Sequence, residues 1–446
     1  MDNLKLKISP PLGGYLFVFF VALFGVCFLF YIEKVLLALL LFVFAFLSVL
    51  MLSITDKIVF DGQSISRTGI FPRLWAYING RKTKISVDSI NQVETSPLLT
   101  LRKAKRVSFT YKTMICSFES RLIFISSENN KYRAFLKALV SAIHREVLDF
   151  ASLELSKYAT NQEEVLAEAR ALKLFPEHLR ETLRFDLLIL NNRNDETQML
   201  PNSDETLKVK RLRKVANELK ILGYLPQAIE AFRRALTLKP KDAWLCFEYA
   251  LCLQLFAESE KDQESAKKAK RYLRLSRIYG KDNAEILTYI AETYLKNGDL
   301  NEAKRTFHMV LEKDAENYRA FLGLAETALR EGKVARVIHY LMAAQRITRV
   351  DALREWISRE IAYFSRLNSD LTYMEKEISR VSWLEKIHFG KKLAVWAFLM
   401  GFPFIVLGSF YEQSLGAIGW TLSAFSILSW IGLNASASFL TQRTPL

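Results

Sequence analysis

Four long apolar stretches without a charged residue constrain this sequence more than any other feature. They cover residues 12–32, 35–55, 393–411 and 415–433. Each is close to the ~20 residues that an α-helix needs to cross a bilayer core of ~30 Å. Glu33 and Lys34 alone separate the first two stretches, and a short turn around Glu412 separates the last two. The sequence therefore predicts two transmembrane helical hairpins, at residues 12–55 and 391–435.

The distribution of positive charge predicts the orientation of these spans. A cleaved signal peptide is the alternative for the first stretch, but the run is too long for the apolar region of such a peptide, and a second span follows without a small-residue cleavage pattern. Lys34 is alone on one side of the membrane, and the cations on the other side are Lys5, Lys7, Lys57, Lys386, Lys391, Lys392 and Arg443. By the positive-inside rule, we expect the tails (1–11 and 436–446) and the central region to be cytoplasmic.

Residues 56–152 have the pattern of a small β-sheet closed by one helix. Asp61-Gly62 favours a tight turn. Residues 107–112 alternate apolar and polar side chains, and residues 122–125 are typical of a strand that is buried on both faces. Apolar side chains then recur on one helical face between Phe135 and Val147.

The two spans followed directly by ITDKIVF and then RKTKISVDSINQVETSPLL resemble the bacterial pleckstrin-homology-like (PH-like) domains that are attached to membrane hairpins. The resemblance covers roughly residues 12–150. It implies a membrane-proximal sheet domain in a bacterial inner membrane, with no catalytic residues. Many such domains serve as assembly modules.

Two basic clusters in this domain suggest a contact with the membrane surface. Near an anionic leaflet each Lys or Arg adds about 1 kcal/mol of attraction. The alternative is a solvated loop whose charge keeps a tethered domain soluble. Nucleic acid is an unlikely partner, because no aromatic residues interleave the clusters as a stacking platform. The residues are Arg81, Lys82, Lys84, Arg102, Lys103, Lys105 and Arg106.

A helical pattern with a period of 34 residues occupies residues 209–351. Gly298 and Gly332 are one period apart, as are Ala291 and Ala325. Small residues where two helices touch, with glycine at the turn, are typical of tetratricopeptide repeats, and the region resembles that family. We predict units at 209–242, 243–283, 284–317 and 318–351, the second with an insertion at 258–265. Residues 153–208 are predicted as a helical segment and flexible linker, and residues 352–390 as capping helices.

The resemblance to tetratricopeptide repeats implies a groove formed by fixed positions on the first helix of each unit. An extended or helical peptide would place an acidic group near Arg213 and an apolar side chain against Trp244 and Phe247. The alternative is that Trp244 and Phe247 pack against the preceding unit. The predicted groove residues are Lys210, Arg213, Asn217, Lys220, Trp244, Phe247, Leu251, Thr288, Glu292, Arg319 and Glu326, and the same positions include Gln254, Glu285, Leu295, Leu322 and Leu329.

No motif for catalysis, cofactor binding or metal binding is present in the sequence. The histidines have no partner at ligand spacing, and there is no phosphate-binding glycine loop or nucleophile elbow. The four cysteines lack a zinc-type spacing and are expected to be reduced. We therefore expect no catalytic residues, no metal and no cofactor, and a chain that is not an enzyme.

Together these features predict a multidomain α+β membrane protein. Its parts would be two transmembrane helical hairpins, a small PH-like β-sheet domain with a C-terminal helix, and an α-solenoid of tetratricopeptide-type helix pairs. The expected function is a membrane-anchored scaffold or adaptor that recruits a cytosolic or membrane protein through the groove. One alternative is a non-catalytic accessory subunit of an envelope secretion, transport or polymer-assembly system. A second alternative is a regulator that senses anionic lipid headgroups.

Overall fold

A computed structural model describes residues 6–9, 13–78, 82–103, 106–117, 121–126, 130–158, 162–174, 203–410 and 412–441. The chain divides into two compact units. One comprises Met1–Pro10, Ile58–Ser66 and Lys84–Ile361, and we call it the sheet-and-repeat unit. The other comprises Pro11–Lys57, Arg67–Thr83 and Ala362–Leu446, and we call it the apolar-helix unit.

The structure contains strands, apolar helices and helix pairs, and each type is numbered in chain order. The strands are β1 (Leu6–Ile8), β2 (Lys57–Phe60), β3 (Ser64–Thr68), β4 (Lys84–Ser86), β5 (Ile90–Lys103), β6 (Arg106–Ser117) and β7 (Arg121–Ser126). The helices are α1 (Gly13–Tyr31), α2 (Val35–Thr55), α3 (Ile70–Ile78), α4 (Asn130–Ala142), α5 (Phe150–Lys157), α6 (Gln162–Ala171), α7 (Ser203–Ile221), α8 (Leu225–Leu238), α9 (Ala243–Glu260), α10 (Gln263–Tyr279), α11 (Ala284–Lys296), α12 (Leu300–Lys313), α13 (Tyr318–Arg330), α14 (Val334–Ile347), α15 (Asp351–Ser369), α16 (Leu371–Phe410) and α17 (Gln413–Leu440).

A four-stranded sheet has the order β1-β2-β3-β4. The turn between β2 and β3 is the predicted one, because Gly62 has a φ of 88° and Asp61 accepts a hydrogen bond from the Ser64 amide at 2.6 Å. The prediction that residues 1–11 form only a tail is wrong for β1. Ile8 pairs with Ile58, and burial of both side chains draws this short segment into the sheet.

A three-stranded antiparallel sheet has the order β5-β6-β7, and α4 packs into the same core. The strand predicted from the alternation at residues 107–112 is confirmed as β6. The strand predicted at residues 122–125 is confirmed as β7, but its burial on both faces is wrong. Leu122 and Phe124 are buried, whereas Ile123 is 40% exposed, because the core covers only one face of this edge strand.

Four antiparallel helix pairs form the predicted stack, as α7/α8, α9/α10, α11/α12 and α13/α14. Gly223, Gly298 and Gly332 have φ values of 81°, 80° and 73° at the turns, which only glycine adopts without strain. In the longer second pair Lys261 occupies this position with a φ of 54°. The insertion predicted at 258–265 does not enlarge this turn, because the extra residues lengthen α9 and α10. The stack begins earlier than predicted, because α7 starts at Ser203 within the segment assigned to a linker. The part of that linker between 175 and 202 lies outside the described residues.

Four helices of the apolar-helix unit are long and apolar enough to cross a membrane: α1, α2, α16 and α17. The boundary predicted between capping helices and the third span, at residue 390, falls inside α16, which is continuous over 40 residues. A change from charged to apolar side chains does not interrupt a helix, so the backbone shows no boundary at this residue. The orientation of these helices stays a prediction, as does the PH-like character of the sheet domain.

Candidate partner-binding groove

The predicted groove residues lie on α7, α9, α11 and α13, and part of this surface is covered by the chain itself. The covering residues are 144–158, which include a 3₁₀ turn at Arg145–Val147 and the helix α5. We call them the cis segment. Asp149 caps α5 by accepting a hydrogen bond from the Ser152 amide at 2.9 Å, and its other oxygen accepts one from the Thr95 amide at 3.3 Å. The cap thus joins α5 to β5 of the sheet.

Phe150 of the cis segment lies in an aromatic cluster on the groove. Its ring centroid is 5.1 Å from that of Phe247, 4.9 Å from that of Tyr289 and 6.5 Å from that of Trp244. Such ring pairs add about 0.5–1.5 kcal/mol each beyond their area burial. The apolar anchor expected from a partner at Trp244 and Phe247 is therefore supplied by the chain. The alternative, packing against the preceding unit, has one contact at Trp244: the guanidinium of Arg213 on α7 lies 5.9 Å from the Trp244 ring centroid.

Lys220 pairs with a carboxylate of the cis segment inside the protein. Its Nζ donates to Glu154 Oε1 at 2.5 Å, and only 3% of the Lys220 side chain is exposed. Burial raises the pKa of Glu154 above its ordinary value, and the positive charge of Lys220 opposes that rise. The pair is closed to a partner as long as α5 remains in place.

Arg213 and Asn217 share a carboxylate from the next repeat. Arg213 donates from Nε and Nη2 to the two oxygens of Glu248, at 2.7 Å each, and Asn217 donates to Glu248 at 2.9 Å. Burial disfavours the charged guanidinium, but the hydrogen bonds to Glu248 outweigh it, and the net result is a raised pKa of Arg213. The acidic group that the sequence places near Arg213 on a partner is here Glu248.

The remaining groove residues have different environments. Thr288 is buried and donates to the Ala284 carbonyl at 2.8 Å. Lys210 is exposed on α7. Leu251 lines a cavity of about 410 Å³ beside the turn between α9 and α10. Gln254 and Asn297 lie on its wall and are hydrogen-bonded to each other at 2.8 Å. The assignment of all these residues to partner binding stays a prediction.

An open cavity of about 370 Å³ continues the groove beyond the cis segment. The predicted residues Glu292, Arg319 and Glu326 line it. Arg319 donates from Nε to Glu292 at 2.9 Å, and burial raises the pKa of Glu292 although Arg319 opposes the rise. Further lining residues come from α11, α13 and α15, among them Lys296, Leu322, Arg330, Leu353 and Trp356.

The cavity also contacts the sheet and the cis segment. Asn91, Gln92, Val93 and Glu94 of β5 line one wall, and Glu146 to Asp149 line another. Tyr318 closes that side by donating from its hydroxyl to the Glu146 carbonyl. Sequence reasoning missed these contributions, because the groove positions were carried over from the repeats alone.

The residues predicted to contact the membrane surface are divided between the two sheets. Lys82 is exposed before β4, and Lys84 is exposed within it. Arg102 and Lys103 end β5 and Arg106 begins β6, with Lys103 paired to Arg106 in register, so these three residues lie at one end of the β5–β6 pair. Arg81 and Lys105 lie outside the described residues. The lipid contact itself stays a prediction.

Among the described residues, no group of three His, Cys, Asp or Glu side chains has a geometry that would hold a metal ion. Comparison with known proteins gives little similarity. No protein family model matches the chain, and no curated protein matches it. A solved structure described as "Functional Characterization of Pseudomonas Aeruginosa pilF" aligns with 52% of this chain and 100% of that chain, at 17% identity and a TM-score of 0.32. A likeness this low supports no statement about function.

Proposed function

We propose that this chain is a membrane-anchored scaffold that binds a partner protein through the open cavity of its repeat groove. Three features support the proposal. Four helices are long and apolar enough to anchor the chain, stacked helix pairs offer a continuous binding surface, and part of that surface is not covered by the cis segment. The chemistry expected is recognition of a peptide, with no reaction catalysed.

The observation that carries the proposal is the composition of the open cavity. Trp356 and Leu322 give it apolar walls, and Arg319 and Arg330 lie beside them. Trp, Tyr and Arg are the residue types that most often dominate the energy of protein interfaces. Arg330 is 42% exposed and is held by hydrogen bonds to Glu326 and to the Leu295 carbonyl, both at 2.9 Å. An oriented arginine next to apolar walls suits a carboxylate that adjoins a large apolar side chain.

The cis segment shows how such a surface holds a helix. An aromatic side chain of α5 enters a cluster of rings, and a carboxylate one turn later meets a buried lysine. We expect the partner to use the same combination in the neighbouring cavity, with an apolar anchor against Leu322 and Trp356 and an acidic group near Arg330. The partner would then lie beside α5 and would not displace it.

Crosslinking mass spectrometry in native membranes tests this proposal. The test variant is Arg330→Glu, Trp356→Ala, and the matched control is Arg336→Glu, which makes the same charge change at an exposed position of α14. Loss of crosslinks between the cavity and a second protein in the test variant, with crosslinks retained in the control, supports the proposal. Crosslinks that persist in both variants contradict it.

The same experiment separates the two other functions considered for this chain. Crosslinks that fall on α1, α2, α16 or α17 would favour an accessory subunit that binds through its apolar helices. Retention of all protein crosslinks, together with loss of vesicle binding on charge reversal at Arg102 and Lys103, would favour a lipid-sensing regulator.

A further inference from the structure

The helix α3 carries an apolar face that the rest of its unit leaves uncovered. It interrupts the sheet between β3 and β4 and belongs to the apolar-helix unit with α1 and α2. Ile70, Leu74 and Tyr77 are 59%, 55% and 86% exposed. Their spacing of four and three residues places them on one side of a helix. Three large side chains thus form one strip on a helix of nine residues.

A buried carboxylate fixes the chain near the end of α2. Asp56 directly follows α2 and has no exposed surface. It accepts a hydrogen bond from the Tyr15 hydroxyl of α1 at 2.6 Å. It also accepts two from Arg67, one from Nε at 3.0 Å and one from Nη2 at 2.6 Å. The beginning of α1, the end of α2 and the end of β3 therefore meet at one carboxylate.

Gly69 brings the start of α3 to the same point. Its φ is 143°, and a Cβ on it would lie 3.1 Å from the Asp56 Cα and 3.2 Å from the Pro72 Cδ. A side chain at this position would push the two segments apart. Because α3 begins at the next residue, the helix starts against the end of α2.

We propose that α3 lies in the headgroup region of the membrane that α1 and α2 cross, with Ile70, Leu74 and Tyr77 facing the acyl chains. The proposal rests on α1 and α2 being membrane spans and is independent of the repeat groove. A short helix with one apolar side is stable at a bilayer interface, where its apolar side chains leave water while the backbone stays parallel to the surface.

The position and composition of α3 favour lipid over a protein as the occupant of this face. The helix begins beside the end of α2, so where α2 spans the bilayer, α3 starts at its interface. Tyr77 has the amphipathic ring that is enriched at bilayer interfaces, and exposed Arg73 beside the strip can extend its charge to phosphates. Three side chains are also too few for the ~800 Å² that a stable protein interface buries on each partner.

Spin labelling of the full-length protein in lipid nanodiscs tests the placement. Cys27 and Cys116 are replaced by alanine, because both are accessible to the spin label. Cys246 and Cys252 are kept, because they are buried. Single cysteines are then introduced separately at Ile70, Leu74 and Tyr77, so that failure of one variant to fold leaves two others. Lys281, exposed in the repeats, is the aqueous control, and Leu36, 74% exposed on α2, is the lipid control.

The readout is the ratio of collision rates with oxygen, which concentrates in lipid, and with a water-soluble nickel complex. We expect the ratio at all three positions of α3 to exceed that at Lys281 several-fold and to approach that at Leu36. A ratio equal to that at Lys281 would place the strip in water and overturn the proposal. Labels that are immobilised and protected from both reagents would show that protein covers the strip, which also overturns it.

Discussion

Glu154 of α5 and Lys220 of α7 form an ion pair inside the sheet-and-repeat unit, with 2.5 Å between Oε1 and Nζ. The side chains are 12% and 3% exposed, and 66 residues of chain separate them. Together with the ion pair between Arg145 and Glu285, it links the cis segment to the helices of the groove. It explains why a surface predicted from the repeats alone is partly closed.

Removal of one partner of this ion pair should destabilise the packing of α5 in the groove. Lys220→Met leaves Glu154 buried without its cation, and a broken buried pair costs about 3–5 kcal/mol. The double variant Glu154→Gln, Lys220→Met should recover part of that loss, because no unpaired charge remains. Amide hydrogen exchange of residues 149–158 in the purified full-length protein measures the effect.

Lys208→Met is the matched control, since Lys208 is exposed on the same helix. It should leave the exchange of α5 unchanged. Equal protection in Lys220→Met and the control would contradict the assignment of this pair to the closure of the groove.

The aromatic cluster around Phe150 should contribute separately from the ion pair. Phe150→Ala removes a ring that contacts Phe247 and Tyr289, and such truncations cost about 3 kcal/mol or more when the side chain is well packed. Faster exchange in α5, and in α9 near Phe247, would report the loss. Leu207→Ala, at a 70% exposed position of α7, should show no such change.

Close packing between repeats should make Gly323 intolerant of a side chain. A Cβ at this position would overlap the ring of Phe307 from the preceding pair. Overpacking of a core costs about 1–3 kcal/mol, so Gly323→Ala should lower the melting temperature followed by circular dichroism. Gly432→Ala is the comparison, because no atom lies within 4 Å of the added methyl group. Equal melting temperatures for the two variants would show that the Phe307 ring moves aside freely.

The helix cap at Asp262 should make the second repeat pair sensitive to acid. The hydrogen bond from the Ser265 hydroxyl is the main reason why the pKa of Asp262 is held below its ordinary value. Because the folded-state pKa is lower than the unfolded one, the stabilisation is present above about pH 4 and is lost as the pH falls through the folded-state pKa. Thermal unfolding at pH 6 and pH 3 measures this loss.

Asp262→Asn keeps a capping oxygen but does not titrate. It should lose less stability than the wild type between these pH values. Asp262→Ala should cost about 1 kcal/mol at pH 6. A wild type and an Asn variant with the same pH response would contradict the role of the carboxylate.

Local periodicity was sufficient to predict the apolar helices and the repeat pairs. The glycines at 298 and 332 and the charge-free stretches are patterns within one continuous segment of chain, so the sequence shows them directly. The register also placed the predicted groove residues on the first helix of each pair.

The occupant of the groove could not be predicted from the sequence. Glu146 and Tyr318 are 172 residues apart, and Glu154 and Lys220 are 66 apart. No periodic pattern relates such positions, so the resemblance to tetratricopeptide repeats identified the surface and not its contacts. A signal for α5 was present in Asp149, a good N-cap residue, but it lay at a predicted domain boundary.

In the sheet domain, too, the sequence predicted some elements and missed others. Alternation predicted β6, whereas β1 has three residues and gives too short a pattern to distinguish a strand from a tail. The helix α3 lies within residues 56–152, for which the sequence predicts a small sheet closed by one later helix. Its apolar residues can be interpreted only after Asp56 and Gly69 place it beside α2.

We expect the open cavity, and not the part of the groove that the cis segment covers, to bind a partner. A photoreactive phenylalanine analogue at Leu322 lies in the cavity, and the same analogue at Phe247 lies beneath the cis segment. After irradiation of living cells, we expect an adduct with a second protein from position 322 and none from position 247. Adducts from position 247 without adducts from position 322 would mean that a partner displaces α5, and would contradict the account.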